Sequence, residues 1–368
     1  MLSRNEGSTP LLGHVSMALA RMTSTGTVVP SQHLRFIGAT SPVAPPWLNR
    51  PLRPPKPQRM FVRNPLNPII TIADLPIRAN TVFNPGATRL RDGVIALLLR
   101  VEDRRGFSSI YVARSNDGYT NWSVDPEPLL QAMPGSPCCE WGFEDARVCY
   151  VNELDRYVIT CTAFGPPGPC VYLAVSFDLT TIERQDVVIA PEDKNAAIFP
   201  RRIGGEWLLL HRPVTMVGNT ADIWVSRSDD LQSWRRPEPV MLRRAAGWWD
   251  NARIGIGPPP IETAEGWLQI YHGVRNTSSG AIYRVGAALL DLEEPWVVTH
   301  RLHEWIMSPT EPYELRGDVN NIVFPGGTIE HDDQLDMYYG AADTVVAVAT
   351  ASISEILAAL RRTPVLAT

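Results

Sequence analysis

The sequence predicts an all-β fold, a five-bladed β-propeller, on three observations: a fivefold repeat of strand-like segments, turn residues between them, and a near absence of helical periodicity. The repeat is clearest in its third strand. Ile110 to Asp117 is an apolar run closed by polar residues and an acid; the figure returns at Val171 to Asp178 and Ile223 to Asp230, more loosely at Tyr283 to Asp291, and without the acid at Val345 to Ser352. The copies lie 52 to 61 residues apart. A second strand precedes each copy, at Ile95 to Arg100, Tyr157 to Thr162, Trp207 to His211, Trp267 to His272 and Leu335 to Tyr339. A first strand precedes that, at Ala87 to Leu90, Ala146 to Val151, Phe199 to Ile203, Pro260 to Thr263 and Phe324 to Ile329. β-branched and aromatic residues dominate these runs, and Gly, Asp or Asn turns separate them, as radial repetition of small antiparallel sheets requires.

Two regions are expected, an N-terminal arm over residues 1–75 and the propeller over 76–368. Residues 1 to about 40 are polar and irregular. Proline then recurs from Pro42 to Pro68, removing backbone donors and fixing φ, so an extended strap is expected there. Such a strap lies across a body or reaches a second copy of the chain, and a homo-oligomer held through the arm is the corresponding expectation. At the other end, Ile353 to Arg362 has apolar residues at helical spacing and arginines in its last turn, which predicts a short C-terminal helix.

The formal net charge of -5 argues against nucleic acid or an anionic membrane as partner, since either selects a basic surplus. No apolar run approaches the roughly 20 residues that span a bilayer, and the first thirty residues have no compact hydrophobic segment; a cytoplasmic protein is expected. Five cysteines without Cys-x-x-Cys spacing read as free thiols. The histidines have no metal-ligand spacing beyond a weak His300-x-x-His303, so no metal and no cofactor are expected. A small or neutral ligand fits this composition.

Candidate site residues follow from the repeat. In a propeller the innermost strands line a central shaft, and the segments entering them form its mouth. Those entrances read as Asn84-Pro85-Gly86, Glu144-Asp145, Phe199-Pro200-Arg201, Gly257 to Pro260, and Asn321 to Pro325. Glu144-Asp145 on its own is a polar turn; in the repeat it takes the place that Asn84-Pro85 takes in the preceding unit. Adjacent residues of an extended strand face opposite ways, so only one of the pair enters a given pocket, and Asp145 is the choice. Polar residues also interrupt the second strands at one level: Arg100 to Arg105 with Glu102, His211-Arg212, Tyr271-His272 and Asp343. Of the 34 lysines and arginines only Lys56 and Lys194 are lysines, which suggests that Lys194 is kept as a compact point charge. Carboxylates, cations and aromatic rings converging on one mouth suit a sugar.

These same stretches resemble glycoside hydrolase family 130, the β-mannoside phosphorylases, from about Asn84 to Leu357. The matching segments are Arg100-Val101-Glu102-Asp103-Arg104-Arg105-Gly106, Gly142-Phe143-Glu144-Asp145-Ala146-Arg147, Leu210-His211-Arg212-Pro213, Gly266 to Val274 and Tyr338 to Thr344. The resemblance implies a five-bladed propeller and an inverting phosphorolysis of terminal β-1,4-mannosides to α-mannose 1-phosphate, with inorganic phosphate as co-substrate. It places the proton donor at Asp145, acting through a ring hydroxyl. Arg253 and Tyr283 fall at phosphate-binding positions of the family, with lysine more usual where Arg253 stands; Lys194, His211 and Arg105 are added from their expected placement. Asn84, Arg100, Glu102, Arg105, His272 and Asp343 are expected to bind the substrate. Inverting hydrolases need a second carboxylate about 6.5–9.5 Å from the acid to activate water, whereas phosphate is already an anion. Two other readings stay open: a β-mannoside hydrolase using Glu102, Glu144 or Asp318 as base, and a non-catalytic glycan-binding propeller, which would have lost the acid or the cations that this chain keeps.

Overall fold

In the computed structural model the described residues are 60–214 and 221–363. They are nearly all β. After β1 (Val62–Arg63) come β2 (Thr81–Arg89), β3 (Ile95–Glu102), β4 (Ser108–Ser115) and β5 (Ser123–Val124), which form an antiparallel meander. The second meander is β6 (Gly142–Val151), β7 (Arg156–Phe164), β8 (Cys170–Ser176) and β9 (Arg184–Ile189). One parallel pair, Ser108 with Gly142, joins the two into a single sheet. The third is β10 (Asp193–Ile198), β11 (Trp207–Pro213), β12 (Ile223–Ser228) and β13 (Arg235–Met241). The fourth is β14 (Arg253–Ile256), β16 (Gly266–Thr277), β17 (Gly280–Leu290) and β18 (Val298–Arg301), with β15 (Ile261–Thr263) also on β16. In the last, β19 (Val323–His331), β20 (Gln334–Ala341) and β21 (Val345–Ser352) are followed along the sheet by β1, so Val62 pairs with Thr350.

The expected second and third strands are thus found as β3, β7, β11, β16 and β20, and β4, β8, β12, β17 and β21. First strands were placed less well. Phe199 to Ile203 follows β10 rather than forming it, and Pro260 to Thr263 corresponds to β15, while β14 is the strand that begins that sheet. The reason is chemical: the true first strands carry polar residues such as Asp193, Lys194, Asn195 and Arg253 where an apolar period was sought.

Most of the core is sandwiched between neighbouring sheets. Phe199 and Trp267, both buried, meet edge to face with centroids 5.0 Å apart, joining the third and fourth meanders. Each such large side chain taken from water stabilises the fold by about 1.5–3 kcal/mol. First strands of successive meanders also touch: β19 contacts β2, β2 contacts β6, β6 contacts β10 and β10 contacts β14. β2, β6 and β19 run between two cavities. Asn84, Asp145 and Phe324 line one, of about 140 Å³, and Thr88, Tyr150 and Thr328 line the other, of about 420 Å³.

The strap expected over residues 1–75 lies mostly outside the described residues. Its described part belongs to the body, because β1 completes the last sheet and Ile70 bridges to Val346. Two short α-helices occur among the described residues, α1 (Pro312–Leu315) and α2 (Ile353–Arg361). α2 begins where the Ser352 hydroxyl caps Glu355 N–H, buries Ile356, Leu357, Ala359 and Leu360, and ends on Arg361. No described helix is long and apolar enough to cross a membrane.

Candidate active site

The smaller cavity is built by a repeated backbone device. Pairing slips within β2 between Phe83 and Gly86, within β6 between Glu144 and Arg147, and within β10 between Lys194 and Ala197. At each slip one residue has left-handed backbone: Asn84 (φ 45), Asp145 (φ 52) and Asn195 (φ 52). Asn and Asp tolerate this region better than other side chains, and a bulge re-aims the side chain it carries. The three residues expected at loop entrances or missed altogether are therefore bulge residues inside strands. All three line the cavity, together with Arg100, Lys194, Arg212, His272, Tyr283, Ile322, Phe324 and Asp343.

Asp145, 6% exposed, is tightly held. Its Oδ1 accepts from Asn84 Nδ2 at 2.9 Å and from Arg100 Nη1 at 3.2 Å. Burial pushes its pKa up, but the charges of Arg100, Arg147 and Lys194 and the Asn84 amide outweigh burial and hold it below the usual carboxylate range. Arg100 is shared among three carboxylates, reaching Glu102 at 3.2 Å and Glu144 at 3.1 Å as well. Glu144 also lies 3.7 Å from Lys194 Nζ, so it steadies two cations beside Asp145. Arg147 is buried and fastened to backbone: its Nε donates to Gly257 O at 2.6 Å and its Nη1 to Asp145 O at 2.8 Å. Burial brings its pKa down to about 10, which leaves it charged at neutral pH.

The cavity also presents cations. Lys194 and Arg212 are register partners on β10 and β11. Arg212 Nη1 donates to His272 Nε2 at 3.1 Å. His272 is buried and held neutral by burial and by the nearby Arg212, Arg147 and Arg253. A Cβ on Gly255 would sit 2.4 Å from the His272 ring and 2.7 Å from Arg212 Nη1, so only glycine admits this pair. Arg253 hydrogen-bonds the Tyr283 hydroxyl, and Tyr283 lies against His272 with centroids 6.0 Å apart. Several buried polar atoms of the wall have no partner among the described residues: Asn84 Oδ1, both side-chain atoms of Asn195, and Arg212 Nε. Unsatisfied buried polar groups of this kind are costly unless a ligand or water completes them.

Asp343, in the turn between β20 and β21 (φ 50), lines the same cavity. Its carboxyl is pushed up to about 7 by burial and by the charge of Asp145, with Asp318 and Glu102 adding and Arg100 opposing.

The structure brings together Asp145, Asn84, Arg100, Lys194, His272, Tyr283 and Asp343 from the expected set; Arg253 joins through Tyr283 and Glu102 through Arg100. Two further expected residues, like Arg253 and Glu102, do not line the cavity. His211 faces away, its Nδ1 2.6 Å from Asp193 Oδ2 and its Nε2 2.9 Å from Ser226 Oγ. Alternation along β11 puts Arg212 on the cavity side instead. Arg105 stands in the β3–β4 turn, exposed and bound to Asp103. Asn195 and Arg212 were missed as site residues, although the first is signalled by its repeat position and the second by its place beside His211.

The chain belongs to glycoside hydrolase family 130: residues 52–362 match the family described as β-1,4-mannooligosaccharide phosphorylase. It is an enzyme of the glycoside-phosphorylase kind. Among curated relatives, the β-1,4-mannooligosaccharide phosphorylase of Ruminococcus albus is 34% identical over 85% of this chain and 93% of its own. Among solved structures, the β-1,2-mannobiose phosphorylase of Listeria innocua in complex with β-1,2-mannobiose aligns with TM-score 0.75 and 32% identity, covering 82% of this chain and 99% of that one. A further structure, from work on family members that hydrolyse β-1,2 mannosidic linkages in Candida mannan, aligns with TM-score 0.69 and 25% identity over 79% and 93%.

Proposed function

We propose that this enzyme cleaves terminal β-1,4-linked mannosides by inverting phosphorolysis, releasing α-mannose 1-phosphate, in a cavity at the axis of five sheets arranged as propeller blades. The observation that carries the reading is that one small cavity brings the carboxylates Asp145 and Asp343 together with the cations Lys194 and Arg212, Arg253 being joined to its wall through Tyr283. A mannosyl unit sits between them, its hydroxyls completing Asn84, Asn195 and Asp343 and its apolar face against Phe324. Phosphate sits at Lys194 and Arg212, whose ammonium and guanidinium groups bind its dianion and stabilise the charge that shifts as it attacks the anomeric carbon. Asp145 supplies the proton to the leaving oxygen through a ring hydroxyl.

The hydrolytic alternative needs a free carboxylate to activate water. Glu102 and Glu144 each commit an oxygen to Arg100, and Glu144 a second to Lys194, which favours phosphate over water. The relatives include both β-1,4 and β-1,2 specificities, and the β-1,4 choice follows the description of the matching family.

The test is incubation with β-1,4-mannobiose, mannosyl-N-acetylglucosamine, mannosyl-glucose and β-1,2-mannobiose, with and without inorganic phosphate. Phosphate-dependent mannose 1-phosphate from the β-1,4 substrates is the expected product. Free mannose formed equally well without phosphate would overturn phosphorolysis, and turnover confined to β-1,2-mannobiose would overturn the linkage.

A further inference from the structure

A proton donor must hold a proton when the bond breaks, yet the protein's own groups, Arg100, Arg147, Lys194 and the Asn84 amide, hold Asp145 ionised. We propose that phosphate, on binding at Lys194 and Arg212 in the cavity, drives a proton from solvent onto Asp145, so that the co-substrate itself arms the acid. This rests on the phosphorolysis reading above.

The cations that keep Asp145 charged differ in how fixed they are. Arg147, on the same strand, is fastened to the carbonyls of Gly257, Asp145 and Ala146. Arg100, from β3, is shared with Glu102 and Glu144. Neither can turn to a ligand without abandoning several bonds. Lys194, from β10, is different: its side chain is 27% exposed, its one ion pair with Glu144 spans 3.7 Å, and it lines the cavity. Arg212, from β11, has an unpartnered Nε in the same wall. Phosphate therefore recruits the adjustable part of the field around Asp145 and adds two negative charges beside it.

Both effects act in one direction, because a like charge nearby and a diverted counter-charge each disfavour the carboxylate. The other titratable groups facing Asp145 are the neutral His272 from β16, Asp343 from the β20–β21 turn and the Cys161 thiol from β7, which burial keeps protonated, and none offers compensating positive charge. The proton count closes over a turnover. One proton enters with hydrogen phosphate; phosphate oxygen bonds to the anomeric carbon as the glycosidic bond breaks, and the Asp145 proton passes through the ring hydroxyl to the departing oxygen. Asp145 returns to carboxylate, and a proton leaves as the mannose 1-phosphate monoester ionises. Without phosphate the acid stays unarmed, which also suppresses attack by water.

Titration calorimetry near pH 7 in buffers of different ionisation enthalpy measures protons taken up on binding. Sulfate is the first probe, since it remains a dianion and cannot supply or take the proton; inorganic phosphate is the second. In an Asp343→Asn background, which removes the neighbouring carboxyl that titrates near 7, the protein should take up on the order of half a proton per bound sulfate, and adding Asp145→Asn in that background should bring the uptake close to none. Anion binding without proton uptake in wild type, which needs no variant, overturns the proposal. So does uptake that survives Asp145→Asn in the Asp343→Asn background, since the proton then lands elsewhere. If neither anion binds, the phosphorolysis reading falls first and the proposal with it.

Discussion

Asn84 and Asp145 occupy equivalent bulges of neighbouring meanders, both in left-handed backbone, and the amide of one donates to the carboxylate of the other at 2.9 Å. The proposed acid is thus positioned by its own structural counterpart. Asn84 is itself placed by close packing, for a Cβ on Gly340 would fall 2.0 Å from its Oδ1. Removing the acid with Asp145→Asn should lower turnover on the order of 10³-fold, within the range for general acid catalysis. Asn84→Ala should cost on the order of tenfold, as one hydrogen bond lost. Steady-state rates with circular dichroism as the fold control decide this, and near-normal turnover by folded Asp145→Asn would remove it from the mechanism.

His211 should act on phosphate without touching it. Asp193 Oδ1 accepts the Arg212 backbone N–H at 3.1 Å while Oδ2 bonds His211, so the pair braces the reverse face of the strands that present Lys194 and Arg212. His211→Ala should raise the KM for phosphate on the order of tenfold, about 1.4 kcal/mol, with kcat at saturating phosphate nearly kept. His211→Gln should recover part of the loss. A fall in kcat with unchanged KM would instead mark general damage to the fold.

The Asp343 carboxyl gives a pH signature. Held near 7 in the fold against about 3.9 in an unfolded chain, it keeps a proton that the unfolded state has released. Its stability contribution is complete below about pH 4 and is lost as pH rises toward 7. Asp343→Asn should therefore melt at a temperature that gains on wild type as pH rises through this window. A difference independent of pH would show that Asp343 ionises normally.

Arg63 should be needed for stability far beyond its size. Its guanidinium grips Glu314, which is fully buried, through Nε at 2.6 Å and Nη2 at 2.7 Å. Arg63→Met takes the counter-charge from that carboxylate, leaving it the N–H groups of Thr310 and Glu311 and the Tyr339 hydroxyl, and denaturant unfolding should register a loss of about 3 kcal/mol. Glu314→Gln combined with Arg63→Met should recover much of it; equal losses in the single and double variants would refute the pairing.

The sequence made the second and third strands legible because they are apolar and periodic, and made the first strands hard to place because they face a polar cavity. Asp145 was found through its position in the repeat and the family resemblance, but its setting was not: a bulge is a register slip, visible only when the partner strand is known. The same gap explains His211 and Arg212. Their adjacency in sequence marks a polar strand end, while which of them faces the cavity depends on pairing parity. Arg105 was drawn in by nearness to Arg100, although a turn carries it out to solvent.

The sheet that contributes Phe324 and the Asp343 turn is closed by β1, whose Val62 pairs with Thr350. During synthesis β1 leaves the ribosome long before its partner exists and must wait, unpaired, while the intervening meanders fold. The cavity lacks one wall throughout that interval. The residues that wall the cavity are thus drawn from both early and late parts of the chain, Asn84 and Phe324 among them, and the cavity is complete only once the last sheet has formed.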